Sequence, residues 1–308
     1  MKNCLTIPIS IRLGRAGRGL PAANTKGGAH GVMRPTIGNA FGFSLIEMMI
    51  TVALLAFMIV GLVGMFVQTQ RAFRGGMAQS DVLEAGRATT DLLARELEQI
   101  SPTYQSGVFN FYSTNFPAFV QKLPGTSLYR TNQLGEFFFL THDNQAWTGV
   151  GYVIAPYAGG VGTLYRYETN PAGSSVPGLN SFYNLDLTTA TTNGWLHRVA
   201  DGIIHLRVQA YTTNGVLLDP GGYYNAQRNI YVLNDSFGQY YSSFASNAVP
   251  AYVELELGVL EHDTLEKFKA LPAGSAQDNY LKREQTAGRV HIFRRHIAVR
   301  NVDPTAYQ

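Results

Sequence analysis

Cysteine is almost absent from this chain: there is one, Cys4, in 308 residues. Beyond it neither a disulfide nor a thiolate metal site can form. Disulfides are common in exported proteins, so their lack says only that this fold manages without them. Charge is scarce as well, at 15% Asp, Glu, Lys and Arg, with a formal net of +3. Acid is missing altogether from residues 1–42, which hold Lys2, Arg12, Arg15, Arg18, Lys26 and Arg34. Setting those six aside from the 24 basic residues leaves 18 against 21 acidic ones, a net of −3. The basic character belongs to the N-terminal stretch, so no nucleic-acid partner is inferred from it. Catalytic signatures are also lacking: no G-x-S-x-G, H-E-x-x-H, Walker loop or G-x-G-x-x-G occurs. His142, His197, His205, His262, His291 and His296 are scattered, and strand alternation sets His291 and His296 on opposite faces, which disfavours a shared metal. The chain is read as no enzyme, with no catalytic residue, cofactor site or small-molecule substrate.

One long apolar run is present. Residues 43–67 read FSLIEMMITVALLAFMIVGLVGMFV, and Met48 to Val67 is twenty residues without a charge. As a helix this covers about 30 Å of hydrocarbon. The six N-terminal cations oppose only Arg71 and Arg74 beyond the run. The positive-inside rule therefore puts the N-terminus in the cytoplasm and the bulk of the chain outside it, with the inner membrane between. A secretory signal peptide would need a shorter apolar core, although Gly76-Met77-Ala78 has the small-x-small form of a cleavage site. A plain signal anchor fits the run but leaves Glu47 unexplained. An acid at the centre of a membrane helix costs roughly 2.5–3.5 kcal/mol on insertion scales. Near the helix end the cost is lower, and reaching back to the headgroups is the ordinary account of an isolated acid.

The context of Glu47 is more specific. Gly42-Phe43-Ser44-Leu45-Ile46-Glu47 resembles the type III signal of prepilins, in which a Gly precedes a Phe, a Glu stands fifth after the cut and an apolar helix follows. The resemblance, which covers about 30 residues, implies the type IV pilin-like or pseudopilin family. It implies that a membrane prepilin peptidase cuts between Gly42 and Phe43 and N-methylates Phe43. It also implies a partner for Glu47, the N-terminal amine of a neighbouring subunit, since two charges in an apolar setting are tolerable when paired. The leader departs from the usual pattern in its 42-residue length and its Gly, Arg and Pro content. A start at Met33 would give the ten-residue leader MRPTIGNAFG, and the true start is left open between Met1 and Met33.

Beyond the run, residues 68–100 are expected to continue the helix as an amphipathic segment, kinked at Gly75-Gly76, where two glycines cost about 2 kcal/mol relative to alanines. Ser80-Asp81, with Glu84 at capping-box spacing, reads as a fresh helix start. Val82, Leu92, Leu93, Leu97 and Ile100 form the apolar stripe, Arg87–Asp91 and Asp91–Arg95 are expected pairs on the outer side, and Pro102 ends the helix. Residues 101–308 read as a β-rich antiparallel head, giving an α+β fold. Strands are expected at Phe137–Leu140, Tyr152–Ile154, Thr163–Tyr167, Ile204–Tyr211 and Tyr252–Val259, the last with Val253, Leu255, Leu257 and Val259 inward and both glutamates outward. Asn214-Gly215 supplies a turn. Val290–Arg300 reads as a strand bulged near Arg294-Arg295, and Leu265, Phe268 and Leu271 as a short helix. Residues 168–194 and 216–250 resist assignment; Tyr223-Tyr224 and Tyr240-Tyr241 there offer either a sticky surface or ordinary buried rings.

The order of parts is similar to that of large minor subunits, namely the J-type pseudopilin of type II secretion and the W-type minor pilin. That similarity rests on a second helix with Asp91-Leu92-Leu93-Ala94-Arg95-Glu96-Leu97, a late strand from Pro250 to Leu257 and a closing Phe293-Arg294-Arg295 strand. It implies a structural subunit near the tip of a type II secretion pseudopilus or type IV pilus, with other pilin-like subunits as partners. The alternative is a membrane-anchored adhesin, binding protein or enzyme that uses a prepilin-type export signal. Some pilin-like heads bind calcium, and Asp219 and Asn234-Asp235 offer oxygen ligands, but no D-x-D-x-D-G spacing is present and no site is assigned.

Overall fold

The computed structural model describes residues 42, 44–144, 146–156, 159–170, 175–186, 194–218, 224–225, 228–234 and 239–307. The chain divides into two units between Leu62 and Val63. One helix, α1, runs from Leu45 to Leu97. Gly75-Gly76 do not break it, and Ser80-Asp81, read from sequence as a fresh helix start, lie inside it. The physical reason is cooperativity. Two glycines cost about 2 kcal/mol, whereas a break would create two new ends with four unpaired backbone groups each.

The second half of α1 packs on the head through Val82, Gly86, Thr89, Thr90, Leu93, Ala94 and Leu97. These recur every three or four positions, as one helix face requires. Leu92, expected in the stripe, is 38% exposed, and small residues and threonines take its place. At Gly86 a Cβ would stand 2.1 Å from the Phe293 ring, so only glycine permits this approach. Asp91 pairs with Arg295 rather than Arg87 or Arg95, and Glu98 pairs with Arg300 at 2.5 Å. Glu96 accepts from the Tyr152 hydroxyl at 2.7 Å and from Arg166 Nε at 3.0 Å. The helix ends at Leu97, three residues early, because Ile100 bridges Thr141 and Ser101 N–H donates to Leu140 O at 2.9 Å.

The strands are β1 (Phe109–Lys122), β2 (Tyr129–Asp143), β3 (Ala146–Ala155), β4 (Gly162–Thr169), β5 (Leu196–Tyr211), β6 (Tyr224–Asn225), β7 (Ile230–Asn234), β8 (Tyr240–Ala245), β9 (Tyr252–Leu260) and β10 (Val290–Ala298). They form one sheet in the order β10-β9-β5-β4-β3-β2-β1-β8-β7-β6, with antiparallel neighbours. Short helices follow at α2 (Leu179–Tyr183), α3 (His262–Lys269), α4 (Ser275–Leu281) and α5 (Glu284–Ala287). Leu271 falls outside α3. The fold is therefore α+β, a long helix packed on an antiparallel sheet.

Phe137 and Phe139 of β2 join the core under α1, while Phe138 and Leu140 join a second core capped by Phe182 of α2. A third small core sits under α3 and α4, around Ile204, Leu260, Leu265 and Phe268. The register of β10 against β9 is unbroken from Val290 to Ala298, so the expected bulge is absent. Both arginines fit a regular strand because acids meet them on both faces: Glu256 pairs with Arg294, and Asp91 with Arg295.

One seam of the sheet is closed by side chains. The first half of β5 pairs with β4, and beyond Ile203 its place is taken by a parallel approach of β2, with one bridge at Leu134–Leu206. There Asn115 of β1 acts as a surrogate strand: its amide donates to Val208 O at 2.9 Å and its oxygen accepts from Val208 N at 2.9 Å. Gly135 makes the approach possible, since a Cβ there would meet Leu206 O at 2.9 Å.

Candidate functional site

The candidate site begins with what α1 does not bury. From Leu45 to Phe66 every large apolar side chain is more than half exposed, Ile59 being the lowest at 51%. Within α1 an 18-residue window reaches a mean hydropathy of 2.7 with none of it buried. A helix stretch that is apolar all round, and exposed among the described residues, calls for an apolar surrounding such as lipid or other helices. It is long and apolar enough to cross a membrane once. Met48 to Val67 lies wholly within it.

Glu47 stands in the first turn of this helix and is exposed. Its N–H and that of Met48 both donate to Ser44 O, at 3.0 and 3.2 Å, which opens the helix. A carboxylate in the first turn also faces the positive end of the helix dipole, a stabilisation of about 0.3–1 kcal/mol. Gly42 is exposed, and a Cβ built on it meets nothing. Phe43 lies outside the described residues, as do residues 1–41. Chain order alone therefore brings Gly42 and Glu47 together, at one helix end.

A second polar constellation, not foreseen from sequence, occupies the face of the sheet away from α1. Glu256 is 6% exposed rather than on an open outer face. It pairs with Arg207 at 2.9 Å, with Arg294, and with His205 Nε2 at 3.3 Å. Burial works to raise its pKa, but His205, Arg207 and Arg294 outweigh it and hold the carboxyl at about 2. His205 Nδ1 accepts from Gln133 N–H at 3.1 Å, which leaves Nε2–H to face Glu256. Glu254 joins Arg207 at 3.3 Å and accepts from the Tyr211 hydroxyl at 3.1 Å. This network fastens β2, β5, β9 and β10 together; the sequence signal was the Glu-x-Glu of β9 opposite Arg207 and Arg294.

The remaining candidates separate. His291 Nε2 lies 3.1 Å from Glu261, whereas His296 stacks on Tyr252. Among the described residues no group of three or more His, Cys, Asp or Glu could hold a metal ion. Asp219 and Asp235 lie outside the described residues, and Asn234 closes β7. Tyr240 and Tyr241 belong to β8 and are half-buried, with the Tyr240 hydroxyl donating to Leu218 O at 2.9 Å. Tyr223 and the side chain of Tyr224 lie outside the described residues. No protein-family model, curated protein or solved structure matches the chain.

Proposed function

We propose that the chain is a structural subunit of a pilus-like filament. In this reading a prepilin peptidase cleaves between Gly42 and Phe43 and N-methylates Phe43, and the segment from Met48 to Val67 holds the subunit in the inner membrane until assembly. The observation that carries it is a single carboxylate, Glu47, in the first turn of a helix whose next twenty residues, Met48 to Val67, are uncharged and exposed all round. Such a helix can pass from lipid into a bundle of like helices at little cost, because both surroundings are apolar. The carboxylate makes the bundle selective. It gains most where a neighbouring subunit supplies the N-terminal amine, and burying it without that charge is costly. The order of parts in the sequence, similar to that of large minor subunits, extends the proposal to a minor subunit at the filament tip of a type II secretion pseudopilus or a type IV pilus.

Glu47→Ala tests this directly. The variant should be processed and remain in the membrane, yet be lost from the sheared filament fraction. Normal incorporation would overturn the pairing role of Glu47.

A further inference from the structure

Beside the C-terminal end of α1, against the β2–β3 hairpin, lies an open cleft of about 480 Å³, lined among others by Pro102, Tyr104, His142, Trp147 and Asn301. That volume is in the range of small-molecule sites, about 300–1,000 Å³. Its floor is fixed. Ser101 N–H donates to Leu140 O at 2.9 Å, and the Asn301 amide donates to Ile100 O at 3.2 Å and Ser101 Oγ at 3.0 Å.

Tyr104 is held in the left-handed region, at φ 57°, with its N–H on Ser246 O at 2.9 Å. A buried network enforces this conformation. Asn110 Oδ1 accepts from Thr103 N and Oγ1 at 3.0 and 2.9 Å, and its amide donates to Ser246 O and Ala248 O at 2.7 and 2.8 Å. Glycine would adopt this backbone freely, whereas a bulky side chain there is an outlier of the kind that collects at functional sites. Packing does not explain the tyrosine, because it is 65% exposed. Across the cleft the His142 and Trp147 rings lie with centroids 4.5 Å apart and planes tilted by 36°.

The lining selects a chemical class. It contains no Lys, Arg, Asp or Glu side chain, so no fixed charge of either sign is present to select an ionic ligand. It combines aromatic rings with hydroxyl and amide groups, which suits no acyl chain. Among the described residues the Trp147 indole N–H, the Tyr104 hydroxyl and the Asn301 amide oxygen have no hydrogen-bond partner, so two donors and an acceptor stand free beside flat apolar faces. A neutral pyranose matches both features, with a C–H face for the rings and hydroxyls for the polar groups. We propose that this cleft is a binding subsite for neutral saccharides. It lies wholly in the head and does not depend on the reading of the N-terminal helix.

The chain has two tryptophans, so Trp195→Phe leaves Trp147 as the sole reporter. The experiment titrates this full-length variant, in a detergent without a sugar headgroup, with glucose, galactose, N-acetylglucosamine and lactose while reading tryptophan emission. A saturable change with at least one sugar is expected, at a dissociation constant on the order of 1 mM, as befits one shallow subsite. Tyr104→Gly in the same background should weaken it at least tenfold while the melting temperature holds or rises, since the strained backbone is relieved. Trp147→Ala, followed by calorimetry, should abolish it. Lack of saturation with every sugar at ten times that concentration would overturn the proposal. So would undiminished binding by Tyr104→Gly, or equal saturation by a proline-rich peptide.

Discussion

Removing the Asn115 side chain is the sharpest test of how the head is held together. Asn115 is 1% exposed, and both ends of its amide serve Val208, at 2.9 Å each. Asn115→Ala strands the Val208 N–H and C=O in a core that water does not reach. Each unpaired backbone group costs about 1–3 kcal/mol, so the variant should lose about 2–6 kcal/mol. For a unit of this size each kcal/mol moves the midpoint by about 2–4 °C, giving a fall of about 4–24 °C. Asn115→Asp adds a finer reading. Ionised, the side chain can accept from Val208 N–H but cannot donate to Val208 O; protonated, it can do both. Measured against the parent protein at each pH by thermal unfolding in detergent, the deficit of Asn115→Asp should shrink as the solution is acidified. An Asn115→Ala variant within about 0.5 kcal/mol of the parent would refute the surrogate-strand role.

The Glu256 network predicts a pH dependence. Its carboxyl falls from 4.5 to about 2 on folding, so the stability it contributes is complete above 4.5 and is lost as the pH drops from there through about 2. The amount is on the order of 3 kcal/mol. The stability gap between the parent and Glu256→Gln should therefore close across that window, and parallel unfolding curves from pH 5 to 2 would contradict it. In the exposed apolar segment, Leu55→Arg places a charge near the centre of the span, at a cost of roughly 2.5–3.5 kcal/mol on insertion scales. Alkaline carbonate should then release a large share of the variant from membranes while the parent stays bound; full retention would count against a membrane span.

How much of this was legible in the sequence follows from where the polar residues went. Phe137–Leu140 and Tyr252–Val259 announced themselves because apolar side chains alternate or run together; those apolar side chains from Phe137 to Leu140 and at Val253, Leu255, Leu257 and Val259 are buried, and Glu256, expected outward, is buried with them. β1 stayed hidden because its inward residues include Asn110, Ser113, Thr114 and Asn115, all at most 1% exposed. They act inside the core: Ser113 bonds Ser242 at 2.7 Å, Asn110 braces the Tyr104 turn and Asn115 closes the seam. β8 was hidden for the same reason, its Ser242 pointing inward. No one-dimensional pattern separates such residues from loop polars, since their partners lie up to 138 positions away. The reverse error occurred at Ser80-Asp81, where capping-box spacing suggested a fresh helix start and the length of helix on both sides prevailed. At the N-terminus the sequence carried nearly everything. The helix adds that the apolar surface is bare on all sides, and Phe43 lies outside the described residues.

The central claim is a cut after Gly42, and the mature N-terminus tests it most directly. The membrane-bound protein, digested and sequenced by mass spectrometry, should yield an N-terminal peptide that begins at Phe43 and is heavier by one methyl group on its amine. A mature chain beginning at Met77, Ala78 or Gln79, or one retaining residues before Phe43 in cells with an active prepilin peptidase, would contradict the account.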